Sequence, residues 1–321
     1  METGSESKRP PSQARLGGGE IWALAAALAY ALYQVFLRVA VRGDELNSMV
    51  GTTVQAIPLL LFSVAMGWFV KRSDRSQFSA LRDWKIMGAL VANGLLIYVV
   101  ATPLLLAAMR QGGVLIASPL AGTQVLWAAI LAALLLRERF TRMMALGMII
   151  SVFGVAALTA GSSGSLALSS TWWLAVPFAL GTALCWALAG VLMTYCLRQG
   201  VDRFQVLAIP TLIGLTALNL YLLLAGDLSL YASTSLDVLV TLLAAGAFSA
   251  VALICLTTAL ALTTVASATT INSLQVAIAP LIAWIFLGEE LNAAIGVGIL
   301  LILAGVIIVQ RAQATSSPAQ A

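Results

Sequence analysis

Ten apolar stretches, each about as long as a membrane-spanning helix, run through the chain and leave little room for anything else. A helix that crosses a bilayer needs roughly 20 predominantly apolar residues. Segments such as "GVGILLILAGVIIV" lack the apolar–polar alternation of a transmembrane β-barrel strand. The predicted fold class is therefore an all-α integral membrane protein with ten transmembrane helices. We place them at about 21–41, 50–70, 86–109, 112–136, 142–160, 171–197, 204–225, 236–260, 264–288 and 292–310.

The composition excludes several other classes of protein. Only 9% of the residues are charged, against about 25% in a typical soluble domain. The polar segments 1–19 and 312–321 are predicted to be disordered cytoplasmic tails. The chain has no histidine, and its three cysteines lie in apolar segments without a CxxC pairing. Neither a metal site nor a cofactor is predicted, because the ligands that usually hold them are missing.

The two halves of the chain repeat each other. The segment 114–155 matches 265–306, so that Gln124 lies over Gln275. In the same alignment "LLLRERFT" (134–141) matches "IFLGEELN" (285–292), and elsewhere the tripeptide "AIP" occurs at 56–58 and again at 208–210. A repeat of this length predicts two five-helix units, at 20–160 and 170–311.

An odd number of helices in each unit places the second unit upside down in the membrane relative to the first. Positive charges test this arrangement, because cytoplasmic loops are enriched in lysine and arginine. With both termini in the cytoplasm, fourteen of these residues lie on the cytoplasmic side, and three lie outside: Arg38, Arg42 and Arg110. The net charge of +4 is explained by these loops, so no nucleic-acid partner is predicted. For Arg38 and Arg110 we favour contact with lipid headgroups.

Inverted repeats of this kind are typical of secondary transporters. Each unit ends in a glutamate-bearing turn followed by a glycine-containing helix, "LRERFT…GV" and "LGEELN…GV". In this the chain resembles the EamA branch of the drug/metabolite transporter superfamily, over about 20–311. The resemblance implies two inverted five-helix repeats (5+5) and a central cavity lined by helices of both.

Polar and aromatic residues deep in the spans are the candidates for binding a solute there, because such residues usually face the bundle interior. Gln124 and Gln275 stand at matched positions, as do Tyr30 and Trp186. Each of these residues has a structural alternative, since membrane amides also bond neighbouring helices and aromatic rings also anchor at interfaces. The full candidate set is Tyr30, Gln34, Asn93, Tyr98, Gln124, Trp127, Trp186, Asn272 and Gln275.

The repeated turns, with Glu138 and Thr141 in one and Glu289 and Asn292 in the other, are interpreted as structural. Thr and Asn are favoured N-cap residues. A carboxylate beside a helix start interacts favourably with the helix dipole. The alternative is that one of the glutamates carries a coupling proton or gates one mouth of the pathway.

The predicted function is a secondary transporter in the cytoplasmic membrane that works by alternating access. The solute is expected to be a neutral or zwitterionic metabolite, such as an amino acid or vitamin, and export is the expected direction. No carboxylate lies at mid-membrane, which also leaves a facilitative, channel-like exchanger open. A membrane-embedded enzyme would need a nucleophile–base pair or clustered carboxylates, and we predict none. The expected partners are the solute and the lipid bilayer, and the chain is expected to be a monomer or homodimer.

Overall fold

A computed structural model describes residues 18–42, 46–70, 80–135, 141–162, 171–262, 268 and 271–316. The described residues form α-helices with short connections. The helices are α1 (Gly18–Ala40), α2 (Ser48–Val70), α3 (Trp84–Gly94), α4 (Thr102–Gly122), α5 (Gln124–Leu135), α6 (Arg142–Ser162), α7 (Ala175–Arg198), α8 (Arg203–Ala225), α9 (Ser229–Ser233), α10 (Leu236–Leu262), α11 (Gln275–Leu287) and α12 (Ala293–Ser316).

Seven helical stretches among the described residues are long and apolar enough to cross a membrane. Two further apolar helices, at 142–158 and 275–287, are shorter. The longest stretch, Trp84–Leu131, has 48 residues, because α3 continues through a π-helix at Leu95–Ala101 into α4. It changes direction at Gly113, whose φ of 69° and ψ of −175° are not helical. Glycine tolerates positive φ because it has no Cβ.

The beginnings of several helices follow from local hydrogen bonding. The carboxylate of Asp83 accepts a hydrogen bond from Lys85 N–H at 2.8 Å, and that of Asp202 accepts one from Phe204 N–H at 2.7 Å. These side chains satisfy backbone donors that the first helical turn leaves unpaired.

At the C-terminal end of the chain, α12 continues to Ser316, whereas the sequence predicted a disordered tail from residue 312. The extra residues, 312–316, include two alanines and a glutamine, which favour helix.

Two helices at matched positions of the repeat, α6 and α12, pack closely on each other. A methyl group added to Gly154 would lie 2.9 Å from the carbonyl oxygen of Gly298, and one added to Gly147 would lie 2.7 Å from that of Gly305. Sequence numbers rise on one helix as they fall on the other, so the helices run antiparallel. Small residues allow this approach, as is usual between membrane helices.

The buried core is concentrated at one end of the bundle, which we call the Arg38 end. Ten of the twelve largest fully buried side chains belong to a single cluster, which also continues along α5 to Ala129 and along α12 to Val309: Leu37, Leu46, Leu105, Leu106, Met109, Ile116, Leu120, Leu158, Leu222 and Leu242. The opposite end, which we call the Lys85 end, has a smaller cluster built around Ile86, Leu90 and Cys196. The two ends of the bundle are therefore packed unequally.

Candidate functional site

A cavity of about 320 Å³ lies among the helices of both repeats. Eight of the nine candidate residues line it: Tyr30, Gln34, Asn93, Tyr98, Gln124, Trp186, Asn272 and Gln275. Trp127 does not line it. A step of three residues from Gln124 turns a helix by 300°, so the Trp127 side chain is directed about 60° away from that of Gln124.

Some of the lining residues hold the two repeats together. Gln34 Nε2 donates to Gln275 Oε1 at 3.3 Å and so joins α1 to α11. Asn93 Nδ2 donates to the Ala189 carbonyl at 2.7 Å, and the Tyr98 hydroxyl lies 2.7 Å from Thr211 Oγ1. Asn93 and Tyr98 therefore have partners within the protein, as buried polar groups usually do.

The backbone forms a tight turn just before each of the matched glutamines. Thr123 N–H donates to the Leu120 carbonyl at 3.1 Å, and Leu274 N–H donates to the Ile271 carbonyl at 3.0 Å. Both hydrogen bonds reach back three residues, as in a 3₁₀ turn. Equivalent turns thus precede Gln124 and Gln275 in the two repeats.

Sequence reasoning missed five polar lining residues: Tyr33, Gln55, Thr102, Thr211 and Ser249. Gln55 is the most informative, because it is only 5% exposed. Its presence inside an apolar span was a signal in the sequence. The repeat alignment does not single out Gln55, because the matched position in the second repeat, one residue before the second "AIP", is Leu207.

The cavity extends toward the Lys85 end. Met193 and Val206 both line it and also belong to, or pack against, the cluster at that end. Toward the Arg38 end the lining on α1 stops at Gln34, one helical turn before Arg38.

Beyond that turn lies an ion pair between the repeats. Arg38 Nε donates to Glu289 Oε1 at 2.9 Å, and the two side chains are 17% and 10% exposed. The Glu289 carboxylate also accepts hydrogen bonds from Val114 N–H at 3.2 Å and Leu115 N–H at 3.1 Å. We call these four residues the Arg38–Glu289 cluster. The carboxylate caps the helical segment that begins after Gly113, where the positive end of the helix dipole lies.

Hydrogen bonds from arginine side chains to backbone carbonyls also hold the helices together at the Arg38 end. Arg38 Nη1 also donates to the Met109 carbonyl at 2.6 Å. Arg42 donates to the Leu287 carbonyl, and Arg110 donates to the Leu46 carbonyl. The sequence favoured lipid headgroups as the partners of Arg38 and Arg110, whereas the structure gives both arginines protein partners, because helix ends meet here and leave carbonyls without intrahelical donors.

In the repeated turns, the Thr and Asn side chains cap the helices that follow, whereas Glu289 has a different partner from the one that the sequence predicted. Met144 N–H donates to Thr141 Oγ1 at 3.2 Å, and Ile295 N–H donates to Asn292 Oδ1 at 2.9 Å, so each side chain caps the helix that follows. Glu289 instead reaches a helix of the other repeat, 175 residues away from Val114 in the chain. Glu138 lies outside the described residues.

The described polar residues that line the cavity are all uncharged. Over the ranges that the structure covers, no group of three or more His, Cys, Asp or Glu side chains could hold a metal ion. Cys185, Cys196 and Cys255 are free thiols.

A family model described as "EamA-like transporter family" matches residues 17–160 and again residues 173–311. The chain belongs to the EamA-like transporter family. It is a multi-pass membrane protein with two EamA repeats, and the family is one of transporters.

Comparison with solved structures agrees with this at the level of the fold. A structure titled only "Crystal structure of protein" superposes with a TM-score of 0.58 over 93% of this chain and 99% of its own, at 16% sequence identity. No curated protein matches the chain.

Proposed function

We propose that this EamA protein is a ten-span secondary transporter that carries a small organic metabolite across the cell membrane by alternating access. The ten spans follow if the long stretch divides at Gly113 and the two shorter apolar helices also cross the membrane. The contacts of Gly147 with Gly305 and of Gly154 with Gly298 support the inverted 5+5 arrangement. Gly147 matches Gly298 in the repeat alignment, and Gly154 matches Gly305. Exchanging the two repeats therefore converts one contact into the other, as a two-fold axis in the membrane plane requires.

The observation that carries the proposal is the unequal closure of the cavity. The cavity extends toward the Lys85 end, while the Arg38–Glu289 cluster and most of the largest buried side chains lie toward the Arg38 end. The cluster joins α1 and α4 of the first repeat to the α11–α12 turn of the second. Opening this end requires the two repeats to separate, and the ion pair must then break. The cluster is therefore the gate at the Arg38 end.

The distribution of lysine and arginine supports the orientation. It favours an orientation with the Lys85 end and both termini in the cytoplasm. The cavity then extends toward the cytoplasmic side, from which a solute that is exported would enter. A facilitative exchanger remains the alternative mode, because the described lining has no carboxylate that could carry a coupling proton.

Counterflow in vesicles tests the proposed function. Purified protein in liposomes is loaded with an unlabelled solute, and uptake of the same radiolabelled solute is followed across a panel of nucleobases, vitamins and amino acids. We expect at least one solute to show saturable uptake that is accelerated by unlabelled solute inside. Uptake that rises linearly with concentration and ignores the internal solute, for every member of the panel, contradicts alternating access.

The matched glutamines are expected to contribute to solute binding. Gln124→Leu and Gln275→Leu should each raise the half-saturating concentration about tenfold, which corresponds to roughly 1.4 kcal/mol, close to the net value of one hydrogen bond. Trp127→Phe is the matched control, because Trp127 is near Gln124 in sequence but does not line the cavity. Equal kinetics in all three variants would assign the glutamines to helix packing alone.

A further inference from the structure

Among the described residues that line the cavity there is no Asp, Glu, Lys or Arg. Arg38 and Glu289 lie a turn beyond it and bond each other. Any full charge on the solute would therefore have to leave water without meeting an opposite charge, which is costly in a membrane interior. A zwitterion carries two such charges. The lining thus favours a solute with no charged group.

The polar groups of the cavity divide into satisfied and unsatisfied ones. Asn93 and Tyr98 have protein partners. Gln55 does not: its Oε1 and its Nε2 are both buried without a hydrogen-bond partner. Gln34 Oε1 and Asn272 Oδ1 are also buried without a hydrogen-bond partner. Buried polar atoms rarely stay unpaired, so groups of this kind at a cavity wall are suited to bonding a ligand.

The type of the unsatisfied groups indicates the type of ligand. The Gln55 side chain offers a donor and an acceptor side by side. Its best complement presents an acceptor beside a donor, as do a carboxamide, a lactam and the edge of a nucleobase. The remaining oxygens, on Gln34 and Asn272, are acceptors and favour further N–H groups on the ligand.

Aromatic rings add a second requirement. Tyr30, Tyr33 and Tyr98 line the cavity together with Trp186. Aromatic side chains pair well with other rings in offset or edge-to-face arrangements. The volume of about 320 Å³ lies at the small end of ligand pockets, which run from roughly 300 to 1,000 Å³. A ligand with one or two rings fits that size.

We propose that the solute is an uncharged planar ring compound with a carboxamide or lactam edge, and that Gln55 binds this edge. This proposal rests on the proposed function and narrows it, since zwitterionic amino acids are excluded. Gln55 is then the residue that determines specificity, with Gln34 and Asn272 as additional acceptors.

Matched pairs of ring compounds test the charge requirement. Nicotinamide and nicotinate share a ring and differ in carboxamide against carboxylate, and uracil and orotate differ by one carboxylate. Equilibrium dialysis with purified protein in detergent measures binding without any flux. We expect nicotinamide and uracil to bind at least tenfold tighter than their anionic counterparts. Equal or tighter binding of the anions overturns the proposal.

The binding assay also separates this proposal from the proposed function. If none of the four compounds binds while another solute shows counterflow in vesicles, the solute class is wrong and the transporter stands. If nicotinamide binds as expected but no solute of the panel shows counterflow, the binding site stands and the transport proposal is contradicted.

Two glutamines provide a controlled test of residue assignment. Gln205 resembles Gln55, since it is 7% exposed and both its amide atoms are buried without a partner. It does not line the cavity. Gln55→Leu should weaken nicotinamide binding at least tenfold, and Gln205→Leu should leave it unchanged.

Asn272→Leu is the second variant, for use if Gln55→Leu does not fold, and it should weaken nicotinamide binding several-fold. Wild-type affinity in a folded Gln55→Leu or Asn272→Leu protein, or equal losses in the Gln55→Leu and Gln205→Leu proteins, would overturn the assignment.

Discussion

Glu289→Gln is expected to lower the free energy of unfolding by about 3 kcal/mol, the lower part of the range for removing one member of a buried ion pair. The lower part applies because both side chains retain some exposure, 17% for Arg38 and 10% for Glu289. Glutamine has a single acceptor oxygen, whereas the carboxylate accepts from Arg38 and from two backbone N–H groups. At least one of these donors loses its partner, and the Arg38 charge loses its counter-ion.

Thermal unfolding of the purified protein in detergent measures this loss. Glu290→Gln is the matched control, since the adjacent carboxylate is exposed, and it should change the unfolding temperature little. Combining Arg38→Met with Glu289→Gln should cost less than the sum of the single changes, because the two residues share one interaction. Additive losses, or equal effects at Glu289 and Glu290, would contradict the role of the cluster.

Gly154→Leu is expected to destabilise the protein by more than about 3 kcal/mol, beyond the usual range for overpacking. Its first added carbon would lie 2.7 Å from Ile302 N and 2.9 Å from the Gly298 carbonyl oxygen. Both of these atoms belong to the backbone of α12, so no side-chain rotation relieves the contact. The helices must move apart, and their dispersion contacts are lost along the whole seam.

Gly296→Leu is the matched control for this prediction. Gly296 lies on α12, close to Gly298 in sequence, and an added carbon there meets nothing within 4 Å. Yield of monodisperse protein and the unfolding temperature should fall sharply for Gly154→Leu and stay near wild type for Gly296→Leu. A Gly154→Leu protein as stable as the control would mean that α6 and α12 are not in contact as described.

Helix positions could be predicted because the apolar length needed to cross a bilayer leaves few choices. The predicted first span, 21–41, corresponds to Gly18–Ala40. The predicted boundary between 109 and 112 lies close to the break at Gly113. The π-helix at Leu95–Ala101 was not predicted, since nothing in an apolar run distinguishes this hydrogen-bond pattern from an ordinary helix.

Part of the candidate site could be predicted from two criteria, which are matched positions in the repeat alignment and the energetic cost of polar groups in lipid. These two criteria selected Gln124 and Gln275, which line the cavity. The alignment did not identify Gln55, because the matched residue of the second repeat is Leu207. The partner of Glu289 could not be predicted, since Arg38 is 251 residues away and meets it only when the repeats pack.

The side from which a thiol in the cavity reacts tests the gate most directly. Ser249 lines the cavity and is small, so Ser249→Cys is placed in a protein lacking Cys185, Cys196 and Cys255, reconstituted in oriented vesicles. A membrane-impermeant thiol reagent should label it faster from the side of Lys85 than from the side of Arg38. Adding Glu289→Gln should raise the rate from the Arg38 side several-fold. Faster labelling from the Arg38 side with the cluster intact, or no change of that rate with Glu289→Gln, would contradict alternating access through this gate.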